Sequence, residues 1–119
     1  MSKSKKDNIL FRANDPRGKD VELRQEQLES HLKQRDDAHL TEPSVIKDTI
    51  EDPVFILQDS EHIKRQNYFK VSEKKAKKEL YNKVVVHFHS ESEPGDIVTA
   101  YTTAIVNPRS SEDVLWQKK

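Results

Sequence analysis

No cysteine occurs among the 119 residues, which excludes disulfides, thiolate metal sites and a cysteine nucleophile and implies no oxidising compartment. Apolar side chains are also scarce. They make up 33% of the chain, against a usual range of about 45–50% that also counts glycine. Part of the chain is therefore expected to be solvated tail or loop. No apolar run approaches the roughly 18 residues that would read as a membrane span. The basic opening from Met1 to Lys6 leads into Asp7-Asn8 rather than an apolar stretch, so no signal peptide is expected and the expected address is the cytoplasm. Net charge is absent as well, with 21 Lys and Arg against 21 Asp and Glu. A chain of this length is one small domain.

The charge balance conceals a segregation. Residues 64–83 carry eight Lys or Arg and two Asp or Glu, a segment charge of +6. Segments 21–43 and 44–63 come to −3 and −4. The basic block, from Lys64 and Arg65 through Lys70, Lys74, Lys75, Lys77 and Lys78 to Lys83, is the one region able to attract a polyanion locally. A solvated lysine face would look the same on charge alone.

Residues 1–7 read as a disordered basic leader, 8–106 as a single domain and 107–119 as a tail anchored by Leu115-Trp116. Ile9-Leu10-Phe11 and Val21-Glu22-Leu23 predict two short strands, joined by a turn in which Pro16 and Gly18 supply the chemistry. From Gln25 the pattern is helical, with Leu28 and Leu32 one turn apart. A second helix is predicted from near Thr41, capped by Thr41 or Ser44, through Val45, Ile46 and Ile50 to a stop before Pro53. Strands are then expected at 54–57, 67–71, 83–89 and 97–106. The order predicts an α+β fold: an N-terminal hairpin and two helices packed on a four-stranded antiparallel sheet. Alternation assigns Phe69, Val71, Val84, Val86, Phe88, Val98 and Ala100 to the core. It sets Tyr68, Lys70, Val85, His87, His89, Ile97, Thr99, Tyr101 and Thr103 on the opposite face.

Three groups of residues could carry chemistry. His31 and Arg35, one turn apart, share a helix face, an imidazole able to move protons beside a guanidinium able to hold phosphate. His87 and His89 point the same way from one strand and could supply two metal ligands. Further ligands would have to come from His62, Asp59 or Glu61, which lack a recognisable spacing, and a polar strand face accounts for the pair without an ion. No metal or other cofactor is therefore expected. Thr99 and Tyr101 set two hydroxyls on one strand face, and Lys70 on an earlier strand is a cation able to stabilise a developing phosphorane. Each group taken singly is also what an ordinary helix or strand surface would show.

Their succession along the chain is more specific. Asp15 to Gly18, His31-Leu32 with Arg35, Asp52-Pro53, Tyr68-Phe69-Lys70, Val84-Val85-Val86 and Val98-Thr99-Ala100-Tyr101 together resemble the phage and mobile-element branch of the barnase–EndoU–colicin–RelE type of small RNases. Many members of that superfamily are toxins. The resemblance spans residues 9–106 through short scattered motifs. It departs from the family pattern at Asp36 and Asp37, where the pattern has His and Pro.

The resemblance implies a metal-independent endoribonuclease in which the ribose 2′-OH attacks the adjacent phosphorus, leaving a 2′,3′-cyclic phosphate and a free 5′-OH. His31 would be the general base or acid, Arg35 and Lys70 would bind the scissile phosphate, and Thr99 and Tyr101 would position it or stack on a base. Tyr68, Lys74, Lys75, Lys77, Lys78, Lys83 and His87 would contact the RNA. His39 is a substitute acid or base for the missing family histidine. The implied partners are RNA and a cognate antitoxin or immunity protein, with no membrane. The alternative is a catalytically inactive module of the same fold that binds RNA or protein, for which Asp36-Asp37 is the sequence argument.

Overall fold

The computed structural model describes residues 8–29, 42–73, 79–104, 106 and 113–119. The chain opens with strands β1 (Ile9–Asn14) and β2 (Asp20–Arg24), paired as an antiparallel hairpin. The turn between them follows from its residues. The Gly18 amide donates to the Asp15 carbonyl at 2.8 Å, while Asp15 Oδ1 accepts the amides of Arg17 at 2.8 Å and Lys19 at 3.0 Å. Asp is suited to this self-capping, and Pro16 presets the chain for the reversal. Gly18 takes φ +89°, a conformation that side-chain-bearing residues rarely adopt.

A short turn of helix, α1 (Gln25–Gln27), follows β2. Helix α2 (Pro43–Glu51) starts with proline in its first turn, where the missing amide is harmless. Its buried residues, Ile46, Thr49 and Ile50, sit at the spacing of one helix face. Asp52 leaves the helical region at φ −138°, as a residue before proline tends to. Glu42 occupies the cap position and Ser44 lies inside the helix, while Thr41 is outside the described residues.

Strands β3 (Phe55–Gln58), β4 (Arg65–Val71), β5 (Tyr81–His87) and β6 (Gly95–Thr103) form the expected antiparallel meander. The four-stranded architecture, however, is incorrect. The sheet has seven strands in the order β1-β2-β6-β5-β4-β3-β7. On one side β2 joins β6 in parallel, with Val21 opposite Gly95 and Glu22 opposite Asp96, so the hairpin extends the sheet instead of covering it. On the other side β7 (Val114–Gln117), within the segment read as a tail, pairs antiparallel with β3. Among the described residues the only helices are the short α1 and α2, against the two packed helices expected. The expected continuation of the first helix past Glu29 lies outside the described residues. No described helix is long and apolar enough to cross a membrane.

Ile46 and Ile50 of α2 pack on one face of the sheet with Ile56, Tyr68, Val84, Val86, Ile97 and Ala100, joined by Ala13, Val21, Leu23 and Leu28. Two face assignments are corrected. Tyr68 stands opposite Val84 and Val84 opposite Ala100, so all three share the α2 face and β4 runs in the inverse phase to that expected. Phe69 and Val71 therefore point away from α2, and Val71 is exposed. On β6 a bulge intervenes: Val85 pairs with Thr99 but Val86 with Ile97, which skips Val98. The extra residue brings Ile97 into the core while leaving Thr99 on the outer face. Gln27 Nε2 donates to the freed Val98 carbonyl at 2.6 Å.

Candidate nucleic-acid interface

Strand pairing assembles the outer face, the one turned away from α2. Lys83 on β5 lies opposite Tyr101 on β6 and Phe69 on β4, and Val85 lies between Thr99 and Asn67. His87, one step further on this face, lies between Asp96 and Arg65. The Lys83 ammonium sits 5.3 Å from the centroid of the Tyr101 ring and 5.7 Å from that of Phe69, within the range of a cation–π contact. Phe69 in turn packs on Phe55 at 5.2 Å and meets Tyr81 edge-on at 6.4 Å. At this end the face therefore offers a partly exposed cation beside the partly exposed Tyr101 ring, with the buried Phe69 ring supporting the cation from below and Thr99 on the same face. That combination can contact a phosphate and a base in one ligand.

The expected site residues divide into three sets. Thr99, Tyr101, Lys83 and His87 are brought onto one face. Lys70 is not among them: it projects on the α2 side, its Nζ 2.9 Å from Asp48 Oδ2 and 3.0 Å from Asp52 Oδ2. Lys118 completes that cluster at 3.0 Å from Asp52 Oδ1. Burial opposes the charged form of Lys70, but the hydrogen bonds and charges of Asp48 and Asp52 prevail and hold its pKa above the usual lysine value. The same two lysines hold the Asp52 carboxyl low. Tyr68 is fully buried, and its hydroxyl donates to Asp15 Oδ2 at 2.7 Å. His31, Arg35, His39, Lys74, Lys75, Lys77 and Lys78 lie outside the described residues.

Of the loop candidates for metal ligation, Asp59 is engaged within its own loop. Asp59 Oδ2 accepts the amides of Glu61 at 3.0 Å and His62 at 2.9 Å, and its Oδ1 accepts from Asn67 at 3.2 Å, so this carboxylate closes its own loop. Among the described residues no three His, Asp or Glu side chains converge as ligands.

The sequence pairs His87 with His89 on the outer face but does not reveal the arginines and the carboxylate that join them. Arg24, Arg65, His89 and Asp96 gather around His87 at the far end from Tyr101. His89 Nε2 lies 3.1 Å from Asp96 Oδ2, and Arg24 Nε donates to Asp96 Oδ1 at 3.3 Å. Arg65 was visible only as part of the basic block, and its partner follows from a register that pairs residues 22 apart. Comparisons with protein-family models, with curated proteins and with solved structures found no match to this chain.

Proposed function

We propose that this protein is a metal-independent endoribonuclease that acts in the cytoplasm, a toxin held in check by a cognate inhibitor. The family resemblance supplies the reaction. The observation that supports it is the register setting Lys83 opposite Tyr101 and Val85 opposite Thr99, which groups the hydroxyls of the closing motif with a cation. Lys83 is better placed than Lys70 to meet a phosphate at Thr99 and Tyr101, because Lys70 faces α2 and is engaged by two carboxylates.

In the proposed reaction His31 takes the proton of the ribose 2′-OH as that oxygen forms a bond to phosphorus. The bond to the 5′-oxygen breaks, and an acid, His31 or His39, protonates the leaving oxygen. Arg35 and Lys83 meet the charge that develops on the non-bridging oxygens, while Thr99 and Tyr101 position the phosphate. The lysines of 74–83 follow the flanking backbone, so binding weakens steeply with salt. The inhibitor would be acidic, complementary to the 64–83 block.

The test is to incubate the purified protein with mixed cellular RNA in chelator and map the product ends, beside His31→Ala and Tyr101→Phe. Cyclic-phosphate ends that disappear in His31→Ala are expected. Intact RNA under all conditions overturns the enzyme, and RNA that is bound but intact identifies the inactive binding module instead.

A further inference from the structure

A cleft of about 380 Å³ opens on the outer face where β2, β4, β5 and β6 come together, lined by Arg24, Arg65, His87, His89 and Asp96 among others. Its carboxylates are already matched. Glu22 is held by Arg12 at 2.8 Å and by Arg24, and Asp96 by Arg24 and His89. Arg65 is different. Among the described residues it has no carboxylate partner, and its side chain instead donates from Nε to His87 Nδ1 at 3.5 Å.

This pairing sets a guanidinium across the ladder from an imidazole that would repel it once protonated. Partial burial, then the charges of His89, Arg65 and Lys64, hold the His87 pKa below its ordinary 6.5, with Asp96 acting in the opposite sense. The ring is therefore largely neutral at pH 7. Accepting at Nδ1 leaves its proton on Nε2, which can donate to a ligand. The His89 ring, 4.6 Å away edge-on, is oriented by Asp96, and Lys64 Nζ reaches the His89 carbonyl at 3.4 Å. A cation without an acid partner among the described residues, beside an imidazole that burial first and then the neighbouring charges hold toward its neutral form, is an arrangement that an anion would complete.

We propose that Arg65 and His87 form a proton-linked seat for a phosphodiester of single-stranded RNA, flanking the scissile group; this rests on the ribonuclease reading. The phosphate accepts from the guanidinium and from His87 Nε2. His87 lies four residues from Lys83 along β5, roughly 13 Å at about 3.3 Å per residue, so the strand of RNA runs along β5 and β6. The phosphate offsets the repulsion between Arg65 and an imidazolium, so RNA binding draws a proton onto His87 and affinity rises as pH falls.

The experiment uses a 2′-O-methylated tetranucleotide, which binds but has no 2′-OH to attack phosphorus. His87 is followed by NMR titration with and without it, and affinity is measured from pH 7.5 to 5.5. The expected results are a His87 titration midpoint that rises on saturation and binding several-fold tighter at pH 5.5. In addition, Arg65→Gln binds about tenfold more weakly, with a salt slope shallower by about 0.7 for the lost phosphate contact. His87→Gln flattens the pH dependence. An unmoved His87 midpoint together with unchanged binding in Arg65→Gln overturns the seat, even if unmodified RNA is still cleaved in a His31-dependent way. Conversely, intact unmodified RNA alongside these binding effects overturns the nuclease and leaves the seat standing. A His87 shift with inorganic phosphate but none with the tetranucleotide assigns the seat to a small anion and overturns the RNA assignment.

Discussion

The Tyr68 hydroxyl donates to Asp15 Oδ2 at 2.7 Å, joining the first hairpin turn to the middle of the sheet across 53 residues of sequence. Arg17 Nη2 closes the network, at 2.8 Å from the same carboxylate oxygen and 2.7 Å from Gln66 Oε1. The turn is thereby tied to β4, which is not its neighbour in the sheet. For Asp15, burial raises the carboxyl pKa, but the hydrogen bonds from Tyr68, Arg17 and the Lys19 amide prevail and hold it below 3.8. For Tyr68, burial and then the hydrogen bond and charge of Asp15 push the phenol far above its ordinary 10.0.

These shifts set two pH limits. Asp15, lowered in the folded state, contributes stability that is present above its unfolded value and lost as pH falls through its folded one, below about pH 4. Tyr68, raised in the folded state, contributes stability that is present below about pH 10 and lost as pH rises beyond it. Tyr68→Phe is expected to lower stability at pH 7 by about 1.5–3 kcal/mol, the range for a hydrogen bond to a charged group. It should also remove most of the loss above pH 10. Urea unfolding at pH 7 and at pH 10.5 checks both, and an unchanged midpoint at pH 7 contradicts the network.

The opposed placement of Lys70 and Lys83 predicts that two lysines separate stability from binding. Lys70→Gln loses ion pairs to half-exposed carboxylates, which are worth up to about 1 kcal/mol, and leaves RNA binding unchanged. Lys83→Gln removes the cation over Tyr101 and weakens RNA binding, with a salt slope shallower by about 0.7. Measuring affinity against salt for the two variants decides the matter. Equal losses of binding would mean that the faces are misassigned.

Gly95 opens β6 where a methyl group would meet Val86 Cγ1 at 2.5 Å and the Phe88 ring at 2.7 Å. Gly95→Ala should destabilise by about 1–3 kcal/mol through overpacking. Because Val86 is the obstacle, the double variant Gly95→Ala, Val86→Ala should lose less than the two single variants combined. Thermal unfolding of the four proteins in this cycle measures that coupling.

Trp116, the single tryptophan, lies opposite Ile56 in the β3–β7 pair and packs partly buried against the core. Trp116→Ala should cost about 2 kcal/mol, less than the roughly 3–5 kcal/mol of a fully buried aromatic. In the wild type, tryptophan fluorescence and far-ultraviolet circular dichroism should report one coincident unfolding transition. An earlier fluorescence transition would show that β7 detaches independently.

The hairpin, α2 and the strands of the meander are legible in the sequence, and so is the face that Thr99 and Tyr101 share with His87. The faces of Tyr68 and Lys70 are not legible there, because both faces of this sheet carry apolar and aromatic side chains. In Asn67-Tyr68-Phe69-Lys70-Val71 alternation gives the period of two but not its phase, and Tyr68 and Phe69 are both buried. The bulge at Val98 adds one residue to the count, which inverts the expected face of Ile97 with no change in composition.

Local chemistry alone determined the turn at Asp15 to Gly18, the helix running to Asp52-Pro53, and the absence of disulfides, because each depends on residues close together or on a residue type being missing. Only the tertiary structure decided that β2 joins β6 in parallel, that β7 extends the sheet, and that Arg65 stands beside His87. Those relations depend on pairing between strands far apart in the chain. Such pairing is settled by the burial of one whole face against α2 and by the hydrogen-bond ladder, and no short stretch of sequence contains either.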